Sequence, residues 1–431
     1  MRHLQQFFIV PTLLLTMLSL AHAEKLAIVG GTVHTLSSAG TLENGVVLVN
    51  DGVISGVLTD AAEVPSDYTV IDASGKVVTP GFFGALTTLG LQEVSMSAGV
   101  VDSRVKAHAV STTGAAYDAS FALNPDSSLF AITRIEGFTS AASGIASTGQ
   151  LFNGQGTVIT LASETSAVLK PRAFVHTSVA NDGAETNGDS RAALWVALNQ
   201  VLNEAQQAPA TMKAGAEWHG LTTTADISAL KPVLSGATPL LVTANRKADI
   251  EQVIQLKARY PKLRLVIVDG IEAWRVAEQL AAHAIPVIVN PEYNLPGGFD
   301  QMGATLANAG RLAAAGVTVA IGMDTHNIRL ATQHAGNAVA NGLDYAQALA
   351  AISLNPAKIF QVDDQIGSIA PGKRADVVIW SGDPLEVTES AEQVFIAGKA
   401  VEMESRQTKL RDRYLSLIKG ETTTTTTYVR P

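Results

Sequence analysis

Residues 239–268 read PLLVTANRKADIEQVIQLKARYPKLRLVIV, and this stretch decides the fold. Two continuous runs of Val, Leu and Ile, at 239–243 and 264–268, flank a segment with helical periodicity at 247–260. Short apolar strands on either side of a helix are typical of a parallel sheet that is covered on both faces. The stretch therefore predicts a β-α-β unit.

The same alternation continues toward the C-terminus. A helical segment at 272–283 leads to PVIVN at 286–290, and another at 304–316 leads to VTVAIGMD at 317–324. At least four consecutive β-α steps favour an α/β fold with a closed (β/α)8 TIM-like barrel, and an open doubly wound sheet is the alternative. In both architectures the carboxyl ends of the strands carry the chemistry.

Both ends of the chain are rich in short β-type runs. Asn50-Asp51-Gly52 lies between two such runs and predicts a hairpin, because Asp-Gly adopts the positive φ angles of a tight turn. We expect 24–79 and 362–404 to form one composite β-sandwich domain, 80–361 to form the barrel, and 405–431 to form a helix followed by a threonine-rich tail. The segment 92–130 is less periodic and rich in Ser and Ala, and it predicts a long loop over the mouth of the barrel.

The first 23 residues have the pattern of a signal peptide. Arg2 is followed by an apolar run at 7–20 and by the small-x-small sequence Ala21-His22-Ala23, so cleavage is expected before Glu24. The apolar run is short for a membrane span of about 20 residues, which disfavours the alternative of an anchor. We expect a periplasmic protein without a stable membrane anchor.

Composition excludes several classes of function. The net charge is −9, and an acidic protein is poorly suited to nucleic acid or anionic lipid, which both need a basic face. The absence of cysteine excludes disulfides, thiol nucleophiles and thiolate metal sites. The expected partner is therefore a small-molecule ligand or substrate.

Several motifs are more specific than this general pattern, namely GKVVTPGF at 75–82, RIEGFTSA at 134–141, GQGTVITL at 154–161, GVTVAIGMDTHN at 316–327 and LNPAKIFQVDDQIGSIAPGKRADVVIWSGDPL at 354–385. Through these motifs the chain resembles the imidazolonepropionase-like branch of the amidohydrolase superfamily over most of its length. The resemblance implies a (β/α)8 barrel with a β-sandwich built from both chain ends. It also implies hydrolysis of non-peptide, cyclic amide-type C–N bonds with zinc or another divalent metal.

The family's first barrel strand holds the metal through a His-x-His pair that follows Pro-Gly-Phe. Here Leu86 and Thr88 stand in those two places. A leucine cannot bind a cation, and a threonine hydroxyl is a poor replacement for a neutral imidazole. The resemblance therefore predicts an amidohydrolase scaffold with a degenerate metal site.

The later positions that the resemblance implies are also altered. Thr243 and Asn245 lie where later-strand histidines are usual, Asp269 lies where a strand-end histidine is expected, and Asp324 occupies the place of the catalytic aspartate. We expect no metal ligands and no cofactor. Zinc or another divalent metal would bind only if Asp324, His326, His176 and Asp269 formed an unusual site.

Gln155 completes the candidate pocket, since Gly154-Gln155-Gly156 resembles a pocket-lining loop of the family; a tight turn into TVITL is the alternative. Two classes of function remain. The first is an exported hydrolase of non-peptide C–N bonds with impaired catalysis. The second is a metal-free pseudoenzyme that binds a small molecule or forms a homo- or hetero-oligomer with a related amidohydrolase.

Overall fold

The computed structural model describes residues 25–93, 101–162, 166–209, 218–322 and 327–419. Their strands form two sheets of eight strands each. The strands are β1 (Lys25–His34), β2 (Thr41–Asn50), β3 (Val53–Leu58), β4 (Thr69–Asp72), β5 (Val77–Pro80), β6 (Phe82–Thr87), β7 (Phe138–Ser143), β8 (Phe152–Thr160), β9 (Val168–Ser178), β10 (Leu240–Ala244), β11 (Leu265–Asp269), β12 (Val287–Val289), β13 (Val319–Ile321), β14 (Val377–Trp380), β15 (Ala391–Ile396) and β16 (Lys399–Ala400).

The helices lie mainly between the strands of the second sheet and after it. They are α1 (Ser128–Arg134), α2 (Asn181–Thr186), α3 (Arg191–Gln207), α4 (Thr224–Ser235), α5 (Lys247–Arg259), α6 (Ala277–Ala282), α7 (Asn308–Ala314), α8 (Ala331–Ala340), α9 (Tyr345–Ala351), α10 (Leu354–Ile359) and α11 (Arg406–Ile418). The predicted helix near the C-terminus is thus present as α11, whereas the threonine-rich tail lies outside the described residues.

The two chain ends build one sheet, in the order β16-β15-β14-β5-β1-β2-β3, with β4 paired to β1. The pairing of β14 with β5 joins the ends of the chain, for example through Val378 opposite Thr79. Asp51 and Gly52 have φ angles of 50° and 76° in the turn between β2 and β3, which confirms the predicted hairpin. The predicted composite β domain is therefore one continuous hydrogen-bonded sheet, and the domain limits stay a prediction.

The second sheet runs in the order β6-β7-β8-β9-β10-β11-β12-β13 and nearly closes into a barrel. Closure places β13 against β6: a Cβ added to Gly322 would lie 2.7 Å from the Ala85 Cβ. Along β10, Leu240 and Val242 pack outward with the helices, while Leu241 packs in the barrel interior. This alternation explains why the barrel strands are apolar throughout.

One strand departs from the predicted all-parallel barrel. β8 is antiparallel to both β7 and β9, so the other seven strands share one direction. Only 144–151 connects β7 to β8, and a parallel connection needs roughly a dozen residues or more. The chain therefore returns as a hairpin at this point.

The junction between the sheets lies at Pro80-Gly81-Phe82, so β6 is the first barrel strand, as predicted. A Cβ on Gly81 would lie 2.2 Å from the Thr139 side chain, which explains the need for glycine. The barrel interior at this end, where β6 begins, is filled by aromatic rings. Phe360 stacks on Phe83 at 5.8 Å and contacts Phe174 at 5.3 Å between ring centroids.

The predicted loop at 92–130 is described except for residues 94–100. Its Tyr117 carbonyl accepts a hydrogen bond from the Gln155 backbone N–H at 2.7 Å, and Asp118 forms an ion pair with Arg172. Apart from these two contacts with β8 and β9, residues 101–118 of the loop form no helix or strand. The predicted signal peptide lies outside the described residues, and within them no helix is long and apolar enough to cross a membrane.

Candidate functional site

The candidate site lies at the end of the barrel where its seven parallel strands terminate, here called the mouth. Thr88 follows β6 directly, Asn245 follows β10, and Asp269 ends β11. Because parallel strands end at the same side of a barrel, their last residues surround one opening. Asp324 and His326 were predicted to join them, and both lie outside the described residues.

Leu86 lies inside the barrel with 3% of its surface exposed. It belongs to the same apolar cluster as Ala142 of β7 and Val268 of β11. Thr88 is also buried, and its carbonyl accepts the backbone N–H of Leu91 at 3.0 Å. The first-strand positions of the predicted metal pair are therefore occupied by a packed aliphatic side chain and a neutral hydroxyl.

His176 and Thr243 form the central polar contact of the barrel interior. The side chain of His176 lies on the inner face of β9, two residues after the inward-facing Phe174, and its Nε2 lies 2.9 Å from the Thr243 Oγ1. Burial lowers the pKa of His176 from 6.5 to about 4, although the Asp182 charge acts to raise it. The imidazole is therefore neutral at pH 7.

Asn245 lies next to this pair along β10 and is 6% exposed. Among the described residues its Oδ1 has no hydrogen-bond donor. A buried acceptor without a donor is uncommon, because it loses its hydrogen bonds to water without replacement. This oxygen is suited to accept an N–H group from a bound molecule.

Asp269 adopts a left-handed conformation with φ of 65°, followed by Gly270 with φ of 54°. This turn ends β11 and places the carboxylate near Tyr293. The pKa of Tyr293 is raised first by burial and then by the charge of Asp269, while a hydrogen bond with Asn290 lowers it. Asp269 is thus a strand-end carboxylate at the mouth, and Tyr293 is a neighbour that sequence reasoning did not identify.

Gln155 lies within β8, so the interpretation of Gly154-Gln155-Gly156 as a tight turn is wrong. Its side-chain Nε2 donates to the Ala116 carbonyl at 3.3 Å and so holds the preceding loop. Gly156 is required by packing, because an added Cβ would lie 1.9 Å from the Phe174 ring. These contacts give the motif a structural role in the described part of the chain.

In the part of the chain that the structure describes, the side chains at the mouth do not fit a zinc site of the expected kind. Among the described residues no three His, Asp or Glu side chains lie together in a way that could hold a metal ion. Two of the predicted alternative ligands have other neighbours: His176 is hydrogen-bonded to Thr243, and Asp269 lies near Tyr293. The other two, Asp324 and His326, lie in the undescribed segment 323–326. Tight zinc binding requires three or four converging ligands.

Sequence reasoning also missed Ser178 and Asp182. Ser178 ends β9, and its Oγ donates to the Asp182 Oδ1 at 2.6 Å, which places a carboxylate near His176. Asn290 directly follows β12, and its side chain forms a hydrogen bond with Tyr293. The sequence contains a signal for Ser178 and Asn290, because a polar residue at the end of a buried parallel strand lies at the mouth.

Comparison with known proteins agrees with this architecture. The model of the amidohydrolase family matches residues 260–401. An amidohydrolase from Thermotoga maritima MSB8 has 26% sequence identity and a TM-score of 0.76, covering 88% of this chain and all of that one. A molinate hydrolase structure, 18% identical with a TM-score of 0.54, covers 95% of this chain and 98% of its own and supports the fold alone.

A curated relative, amidohydrolase tasK from Hapsidospora irregularis, is 41% identical over 59 residues. That match covers 14% of this chain and spans about 6% of the length of the relative. Taken with the barrel and its composite sheet, these matches show that the chain is similar to members of the amidohydrolase superfamily. Its placement in the imidazolonepropionase-like branch stays a prediction.

Proposed function

We propose that the protein is an exported amidohydrolase-family protein that binds a small amide-type molecule at the mouth and has little or no metal-dependent hydrolase activity. The observation that carries this proposal is the burial of Leu86 in the apolar interior at the first metal-ligand position. Metal-dependent hydrolysis needs a Lewis acid and the water that it activates. A leucine at this position provides neither a ligand nor space for a hydrated cation.

The remaining polar groups favour a neutral ligand with hydrogen-bonding ability. His176 is uncharged, Thr243 is a hydroxyl that contacts it, and Asn245 carries an acceptor oxygen without a donor among the described residues. A cyclic amide presents both an N–H donor and a carbonyl acceptor. Such a molecule would satisfy Asn245 Oδ1 while placing its ring against the apolar interior.

A second candidate is an active hydrolase of non-peptide C–N bonds with an unusual metal site. It is favoured by His176, because a neutral imidazole is the protonation state that binds metal. Its other ligands would be Asp269, Asp324 and His326.

Metal analysis of the native protein distinguishes the two candidates. We expect far less than one zinc or manganese per chain and no hydrolysis of amidohydrolase substrates above a buffer blank. The double variant Leu86→His with Thr88→His should gain weak metal binding at most, because the later-strand positions remain without histidines. Stoichiometric metal in the native protein that disappears in Asp324→Ala would refute the proposal and support the second candidate.

Binding and export are tested separately. A screen of small cyclic amides by thermal shift should identify a ligand whose effect is reduced in Asn245→Leu, a variant of similar size without the acceptor. A ligand that binds Asn245→Leu as well as the native protein would contradict the role of this oxygen. Export predicts that the mature protein begins at Glu24, which mass spectrometry of protein from its native host measures directly.

A further inference from the structure

A cavity of about 350 Å³ lies at the end of the barrel opposite the mouth. Its lining includes Pro239, Arg264, Pro286 and Thr318, which directly precede β10, β11, β12 and β13. The cavity therefore opens at the amino ends of four consecutive strands, away from the proposed ligand site. Its size is at the lower end of the range for small-molecule sites, roughly 300–1,000 Å³.

The ionisable side chains that line this cavity are all of basic residue types. Arg264, Lys257 and Lys358 contribute to the wall together with His283, and no carboxylate does so. Within the part of the chain that the structure describes, none of the three cations forms an ion pair. A concentration of positive charge without a partner is unexpected in a protein whose net charge is −9.

Arg264 gives the most direct indication of a missing ligand. Its Nη1 is buried and has no hydrogen-bond acceptor among the described residues. Burial is the main cause that lowers the pKa of Arg264, and the charge of Asp363 only partly compensates. A partly buried guanidinium without a close carboxylate is costly, and an anion in the cavity would compensate its charge.

The neighbouring cation is affected in the same way. The pKa of Lys257 is lowered by burial and by the charge of Arg264, while its Nζ donates to the Leu263 carbonyl. Lys358 is exposed at the rim. Two mutually repelling cations and a third at the rim would all be stabilised by one anion.

The rest of the wall is apolar and includes Val266, Ile285 and Ile359. Small inorganic ions would leave this surface unused. We propose that this cavity binds a small organic anion, with its carboxylate or phosphate group on Arg264 and Lys257 and an apolar body against the aliphatic wall.

Isothermal titration calorimetry of the full chain tests this site with phenyl phosphate, benzoate and the neutral control benzyl alcohol. We expect at least one anion to bind with a Kd on the order of 0.1 mM, from the affinity per atom that is usual for ligands of this size. Benzyl alcohol should bind at least about tenfold more weakly, because it lacks the charge-assisted hydrogen bonds. Either ranking of phosphate against carboxylate supports the proposal and identifies the preferred oxyanion.

Three charge-removing variants locate the binding. Arg264→Gln should raise the Kd about tenfold or more, and Lys358→Gln about threefold because its side chain is exposed. Lys106→Gln removes an exposed charge outside the cavity and should leave the Kd unchanged.

Should Arg264→Gln fail to fold, Lys358→Gln and the weakening of binding by added salt decide the question. Absence of saturable binding up to about 10 mM, equal binding of benzyl alcohol, or native affinity in Lys358→Gln with no salt dependence would overturn the proposal. Binding at the mouth is distinguished from binding in this cavity because Arg264 and Lys358 lie at the opposite end of the barrel.

Discussion

Replacing His176 by glutamine should remove most of the acid sensitivity that this side chain gives to the barrel. Burial lowers its pKa from 6.5 to about 4, so the unfolded chain accepts a proton that the folded chain excludes. Stability is therefore unaffected above pH 6.5 and is lost as the pH falls toward 4. At about 1.36 kcal/mol per unit, the complete shift costs roughly 3 kcal/mol of unfolding free energy.

Urea unfolding at about pH 7.5 and about pH 4.5 measures this cost, and the native protein should lose ~2–3 kcal/mol more than His176→Gln between them. Acidic groups titrate in both proteins, so the difference between the two losses isolates His176. His219 is exposed, and His219→Gln is the matched control that should behave like the native protein. Equal losses in the native protein and His176→Gln would refute the assignment of a buried, neutral imidazole.

Two further substitutions test the packing around this pair. Thr243→Val should destabilise the barrel by about 1–3 kcal/mol in urea unfolding, because the buried His176 Nε2 loses its partner. Thr243→Ser should retain most of the stability, and a Thr243→Val protein as stable as the native one would show that the contact contributes nothing. Gly156→Ala should cost about 1–3 kcal/mol, since the new Cβ would meet the Phe174 ring. Adding Phe174→Leu to Gly156→Ala should recover part of that loss, and no recovery would contradict the steric explanation.

Much of the fold could be predicted because its signals are local. The stretch 239–268 forms β10, α5 and β11, as predicted. Apolar runs and helical periodicity can be recognised from residues that are close in sequence. The direction of β8 was missed, although the short connection at 144–151 already excluded a parallel crossover. A (β/α)8 barrel implies eight parallel strands, whereas a connection as short as 144–151 allows only a hairpin.

The candidate site was predictable only where a residue directly follows a strand. Thr88, Asn245 and Asp269 lie at strand ends, and the structure places them at the mouth. Tyr293 could not be predicted, because its position near Asp269 depends on a left-handed turn and on a loop without periodicity.

The basic cavity at the other end of the barrel could not be predicted from the sequence either. Arg264 and Lys358 are far apart in sequence, and the motif at 354–385 that contains Lys358 gave no indication of their proximity. They become neighbours because α10 packs under the strands whose amino ends include Arg264. A barrel brings together the residues that begin its strands as surely as those that end them. In this chain Arg264, Lys257 and Lys358 meet at the end of the barrel where the strands begin.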